Sequence, residues 1–177
     1  MIAPFPARTP ELPIEQHCFA SPLGDITVAA TPQGLRGVWL AGQRHWPDNG
    51  RWRHTPGHAL LREAQAQLLQ FLQGTRRHFD LPLDASAGTP FQQAVWRALQ
   101  SIPYGQTTGY GVLAQELGRP QAARAVGAAV GRNPWSIVVP CHRVVGSAGA
   151  LTGYAGGLER KAALLQLEGA QALRQRA

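Results

Sequence analysis

The sequence predicts an α+β protein in two parts, a small α/β domain over residues 1–85 and a mostly helical domain over residues 89–177. Three observations carry that division. Apolar residues alternate with period two between His17 and Leu40, which suits strands. After Thr89 most apolar residues recur at helical spacing. The charge balance shifts at the same place: 8 Arg face 7 Asp or Glu from Met1 to Gly88, whereas 9 Lys or Arg face 3 Glu from Thr89 to Ala177.

Residues 1–15 hold Pro4, Pro6, Pro10 and Pro13 and read as a flexible tail without the basic-then-apolar order of a signal peptide. Ser21-Pro22-Leu23-Gly24-Asp25 has turn chemistry, after which Ile26, Val28 and Ala30 alternate with Thr27 and Ala29. Gly34 marks a second turn before Val38-Trp39-Leu40, and the polar stretch from Trp46 to Gly57 reads as a surface loop. Leu60, Ala64, Leu68 and Phe71 predict an amphipathic helix over 59–73 ended by Gly74. Phe79, Leu81 and Leu83 alternate as a last strand, and Asp84 to Gly88 is the linker.

Thr89-Pro90 starts a helix with Phe91, Val95, Trp96 and Leu99 on one face, and Ile102-Pro103-Tyr104-Gly105 breaks it. A short helix through Tyr110, Leu113, Ala114 and Leu117, a turn at Gly118-Arg119-Pro120, and a third helix over 121–131 outline a helix-turn-helix, a spacing that ordinary helical hairpins share. Asn133-Pro134 ends the third helix, Trp135 to Val139 reads as a short buried strand, and Leu158 to Leu167 as a final helix.

No apolar run approaches the roughly 20 residues of a membrane span, so a cytoplasmic location is expected. Cys18 and Cys141 are too few for a disulfide scaffold and belong to no Cys-x-x-Cys pair, so no metal is expected and both should be thiols. Only Lys161 among the 17 basic residues is a lysine. Forked guanidinium groups concentrated in one half suit phosphate contacts, although a genome-wide arginine bias would give the same count.

Cys141-His142-Arg143 sits at the end of the expected strand, where reactive groups are commonly displayed. Neighbouring His and Arg favour the thiolate, the nucleophilic form. In extended chain successive side chains point to opposite faces, so His142 would reach the thiol only through a water or a local bend. A lone Cys-His pair is equally compatible with simple packing of a small buried thiol.

The longer context resembles the O6-alkylguanine-DNA alkyltransferase family, in its bacterial single-chain form. Pro140-Cys141-His142-Arg143-Val144 matches the family signature, flanked by Ala122-Ala123-Arg124-Ala125-Val126 and Gly127 to Pro134 upstream. Downstream follow Thr152-Gly153-Tyr154-Ala155-Gly156-Gly157-Leu158 and Leu167-Glu168-Gly169; Ile102 to Gly105 and Tyr110 to Ala114 also fit. The resemblance is strong from Thr89 to Gly169 and looser from Phe19 to Leu40.

The resemblance implies a ribonuclease H-like N-terminal domain, a winged helix-turn-helix, and a single-use transfer of an alkyl group from O6-alkylguanine in DNA to Cys141. It implies that His142 takes the thiol proton through water, Glu168 orients the imidazole, and Asn133 braces the intervening turn. Arg124 would replace the nucleotide rotated out of the duplex, and Tyr110 would crowd its phosphate and protonate guanine N3. Ala123 and Arg132 would join them on double-stranded DNA, in a minor-groove contact largely independent of sequence. Val144, Tyr154, Ala155 and Gly156 would form the pocket. The mammalian enzyme has Ser where Ala155 stands, so the range of alkyl groups, and O4-alkylthymine as a substrate, turns on that position. No cofactor is implied, and a monomeric protein is, with cooperative binding of neighbouring copies on DNA left open. A damage-binding relative without chemistry would carry Trp at the cysteine position, and a plain helix-turn-helix regulator would leave His142 and Glu168 unexplained.

Overall fold

The computed structural model describes residues 13–170; most of the expected N-terminal tail lies outside them. Its last residues are already structural. The Ile14 carbonyl accepts from Arg53 N (3.0 Å), and strand β1 (Glu15–Phe19) begins directly after it. β1 pairs antiparallel with β2 (Ile26–Thr31), and β2 with β3 (Gly34–Leu40), in a sheet of order β3-β2-β1-β4. The fourth strand, β4 (Arg53–His54), runs parallel to β1 and lies within the stretch expected to be loop.

The period-two alternation in β2 implied one dry face, yet all six of its residues are buried. Helix α1 (Ala59–Leu72) places Leu61, Ala64, Leu68 and Phe71 in the core, and Trp39, opposite Thr27 in register, packs on Trp52 at 5.5 Å. The expected strand from Phe79 to Leu83 is reduced to one parallel bridge, Leu35 with Leu83. There Leu35 N donates to Pro82 O (2.7 Å) and Asp84 N to Leu35 O (3.0 Å).

Helix α2 (Pro90–Gln100) opens with a capping box: Gln92 N donates to Thr89 Oγ1 (3.2 Å) and Thr89 N to Gln92 Oε1 (2.9 Å). A two-residue strand β5 (Thr108–Gly109) leads into α3 (Tyr110–Glu116), and a 3₁₀ turn (Pro120–Ala122) into α4 (Ala123–Gly131). α4 buries Val126, Ala129 and Val130 and exposes Arg124, Ala125 and Ala128 on its other side. Trp96 Nε1 donates to the Ala129 carbonyl (3.0 Å) and fixes α4 against α2. After β6 (Val144–Val145), parallel to β5, helix α5 (Leu158–Leu167) closes the described chain.

Two domains are present, but one continuous apolar core runs through both, from Val28 and Phe71 to Leu99, Val126 and Cys141. No helix among the described residues is long and apolar enough to cross a membrane.

Candidate active site

Trp135 to Val139 is not a strand. Trp135 makes a single parallel bridge to Val38, after which Ile137 takes a left-handed φ of 73° and Val139 N returns to Trp135 O (3.0 Å). The segment's donors are spent within the turn instead of on a ladder: Trp135 N donates to Asn133 Oδ1 (3.0 Å) and Val138 N to Ser136 O (2.9 Å). The Asn133 side chain is the pin of this turn. Its Oδ1 accepts from Trp135 N (3.0 Å), while Nδ2 donates to Trp135 O (3.2 Å), Val139 O (2.9 Å) and Cys141 Sγ (3.1 Å). The edge of β3 holds the turn from outside: Val38 N donates to Pro134 O (2.8 Å), Ser136 N to Val38 O (3.0 Å), and Trp135 Nε1 to Leu35 O (2.7 Å).

Cys141, His142 and Arg143 form one 3₁₀ turn, all three buried. The premise that extended chain separates Cys141 from His142 is therefore wrong, but the separation persists for another reason. Successive side chains in a 3₁₀ turn point about 120° apart. The thiol faces Asn133, while His142 Nε2 meets Glu168 Oε1 at 2.8 Å. With Nε2 committed to a carboxylate, the neutral ring carries its lone pair on Nδ1, which is buried without a hydrogen-bond partner. Burial pushes the His142 pKa down, against the pull of Glu168, and so favours that neutral ring.

Arg143 does not serve the thiol. It grips Glu168 through Nε to Oε2 (2.9 Å) and Nη2 to Oε1 (3.0 Å), and its Nη1 donates to Ile102 O (2.6 Å). Gly105 N adds a bond to Oε2 (3.0 Å). Gly105 has a φ of 75°, and a Cβ there would sit 2.9 Å from the Glu168 carbonyl, so the close approach requires glycine. Burial alone would raise the Glu168 pKa, but the hydrogen bonds from His142 and Arg143 outweigh it and pull it down to about 2. They likewise offset the cost of an anion at the C-cap of α5.

Burial pushes the Cys141 thiol up, opposed by the Asn133 hydrogen bond and the nearby Lys161 ammonium. At rest the group is a protected thiol. Lys161 is fully buried, and its Nζ donates to Val144 O (2.5 Å) and Thr152 O (2.6 Å). Beyond Cys141 a cavity of about 290 Å³ opens between α4 and the 152–156 loop, lined by Tyr110, Gly127, Arg132, Tyr154 and Ala155. Burial raises the pKa of both tyrosines, and charge on Cys141 would raise them further. A larger cavity of about 340 Å³ lies on the other side of the Asn133 turn among Trp39, Trp52 and Trp96. Cys141 lines neither cavity, but Tyr110 and Tyr154, both coupled to charge on Cys141, line only the smaller one, which is the candidate site.

Residues 14–85 match the family described as 6-O-methylguanine DNA methyltransferase, ribonuclease-like domain, and residues 90–170 its DNA-binding domain. The methylated-DNA–protein-cysteine methyltransferase of Mycobacterium tuberculosis is 47% identical over 159 residues, covering 90% of this chain and 94% of that protein. The chain belongs to this family. The Methanosarcina acetivorans methyltransferase is 46% identical over 152 residues, covering 85% of this chain and 96% of its own. The crystal structure of the M. tuberculosis protein in complex with DNA superposes with a TM-score of 0.81 at 43% identity, covering 90% of this chain and 97% of that one.

In this methyltransferase chain the expected residues gather in two groups. Asn133 is bonded to Cys141 and Glu168 to His142, two pairs that meet in one turn, while Tyr110, Tyr154, Ala155 and Arg132 line the cavity. Gly156 is buried beside Tyr154, Ala123 is half-buried at the start of α4, and Arg124 is exposed on that helix, away from the thiol. The Val144 carbonyl is already engaged by Lys161. Arg143 and Lys161 were assigned no such roles from sequence. A sole lysine in an arginine chain was the available signal for Lys161, since a compact ammonium fits a cradle of carbonyls that a flat guanidinium would not.

Proposed function

We propose that this protein reverses O6-alkylation of guanine in DNA by moving the alkyl group, once and irreversibly, to Cys141. The observation that carries this is the thiol beside an imidazole whose Nδ1 is buried and free, with Nε2 held by Glu168. A bridging water lets Nδ1 take the thiol proton. The thiolate then attacks the alkyl carbon: the S–C bond forms, the C–O6 bond breaks, and its electron pair goes to the guanine. Tyr110 supplies a proton to N3 as the base leaves. The thioether has no good leaving group, so the site is spent.

DNA enters through a helix-turn-helix made of α3, the 3₁₀ turn and α4, the wing included as the resemblance implies. Arg124, Ala123 and Arg132 meet the duplex, and the target nucleotide rotates into the cavity, where the exposed, small-residue face of α4 suits a minor groove. The amine of the flipped base donates to Val144 O, which the Lys161 ammonium also engages. The N–H groups of Ala155 and Gly156, which donate to no protein group among the described residues, face O6. The division at residues 85 and 89 separates this half from an N-terminal domain that braces it. Two free thiols suit the reducing cytoplasm.

Incubation with duplex DNA containing O6-methylguanine is expected to add one methyl mass to the peptide holding Cys141. Cys141→Ala should abolish transfer and leave DNA affinity nearly intact. Absence of the gain in reduced, folded protein overturns the reading.

A further inference from the structure

We infer that the N-terminal domain contacts the substrate directly: Arg44, with His45 as a neighbouring hydrogen-bond donor, forms a rim on the alkylguanine cavity and binds the phosphate of the extruded nucleotide. The inference rests on the proposed function and concerns the same site.

Arg44 and His45 follow β3 and line the 290 Å³ cavity opposite Arg132, which ends α4. The cavity therefore has cations from both domains on two sides, and no carboxylate is among the residues that line it. Arg44 and His45 are exposed, and among the described residues their side chains make no hydrogen bond or ion pair. A site so charged and so free of internal partners suits an anion, and the anion nearest a flipped base is its own phosphate.

The loop is built to stay there. Gln43 is buried; its Oε1 accepts from Leu40 N (2.8 Å) and from Ser136 Oγ (3.0 Å), which ties the loop to the turn that carries the nucleophile. Arg44 N donates to Ala155 O (2.9 Å), which ties it to the far wall of the cavity. Gly42 turns with a φ of 74°, and His45 is held in the left-handed region at a φ of 57°. A non-glycine residue in that region costs conformational energy and persists where the surroundings over-determine it. Two tethers and a strained backbone give Arg44 and His45 a fixed place at the mouth. This arrangement makes the N-terminal domain part of the DNA-binding surface and not only a brace.

The test compares two substrates for Arg44→Ala: an O6-methylguanine duplex, and O6-benzylguanine, a free base without sugar or phosphate. The duplex rate is expected to fall about tenfold, as for one lost charge-assisted contact, and the slope of log rate against log salt to flatten by about 0.9. The free-base rate should not change. Arg44→Lys should recover most of the duplex rate, and Arg51→Ala, which removes an exposed cation of the same segment that does not line the cavity, should change little. Equal losses on both substrates, no loss on the duplex, or an equal loss in Arg51→Ala overturns the inference. Failure of the unsubstituted protein to transfer from the O6-methylguanine duplex overturns the functional reading instead.

Discussion

The two sides of Cys141 are built on opposite plans. On the Glu168 side nearly every polar atom is spent: the carboxylate takes bonds from His142, Arg143 and Gly105, and Arg143 also serves Ile102. On the cavity side groups are left over among the described residues: Tyr154 has a buried hydroxyl without a hydrogen bond of full geometry, and the backbone N–H groups of Ala155 and Gly156 donate to no protein group. A region that must hold one imidazole in one tautomer gains from complete satisfaction. A region that must receive a base keeps its hydrogen-bonding capacity for the substrate. The unpartnered Nδ1 of His142 marks where the two meet.

The largest expected effect comes from breaking the satisfied side. Glu168→Gln leaves Arg143 buried without its counter-charge, and removal of one partner from a buried pair costs roughly 3–5 kcal/mol. It also releases the His142 tautomer, so the transfer rate should fall by at least about a hundredfold, the scale of lost general-base assistance. Acid titration checks the cause. The carboxyl lies near 2 in the fold and at 4.5 ordinarily, so its stabilisation is complete above 4.5 and disappears as pH falls toward 2. Urea unfolding should show that acid loss in the parent and a flatter profile in Glu168→Gln. A parallel profile would mean that the carboxylate is not the coupled group.

Lys161 stands on the border between the two plans, and its removal should have an intermediate effect. Burial lowers its pKa to about 8, so it remains charged at neutral pH while holding the Val144 and Thr152 carbonyls. Lys161→Met leaves both carbonyls unpaired and removes the cation that favours thiolate at Cys141. Transfer at pH 7 should fall about tenfold, one charge-assisted contact's worth. Because the folded pKa lies below the ordinary 10.5, the unfolded chain binds more protons between about 8 and 10.5. The parent should therefore gain unfolding free energy with rising pH in that window, and Lys161→Met should not.

The same contrast governs what could be read from sequence. Helices α1, α2 and α5 follow from apolar spacing and end signals, and Thr89 and Gln92 declare their capping box outright. Cys141 and His142 lie in a contiguous signature, and Asn133 and Glu168 in flanking segments of the same resemblance. The conformation of the nucleophile turn did not, because Val and Ile between two prolines read as a strand until β3 is seen to pair with only Trp135. Arg143, Lys161 and Gly105 act through partners 25, 17 and 63 positions away, and no local pattern reports such distances. β4 was missed for a related reason: its pairing partner β1 lies far upstream, and Arg53 and His54 carry no strand pattern of their own.

The smallest effect is expected on the unsatisfied side, at Tyr154. Its hydroxyl is buried, burial raises its pKa well above the ordinary value, and the Ser136 hydroxyl, which donates to Gln43, lowers it without forming a hydrogen bond of full geometry to it. An unpaired buried hydroxyl stabilises nothing, so Tyr154→Phe should leave the melting temperature unchanged or slightly higher, a gain of at most about 1 kcal/mol. The ring still meets His142 edge-on, with centroids 6.5 Å apart, so the wall of the cavity survives. Any loss should appear only when substrate is present to use the hydroxyl, as weaker duplex binding with little change in the maximal single-turnover rate. Destabilisation of more than about 1 kcal/mol in calorimetry would show that the hydroxyl is partnered in the free protein. The cavity side would then be no less satisfied than the Glu168 side, and the contrast between them would fail.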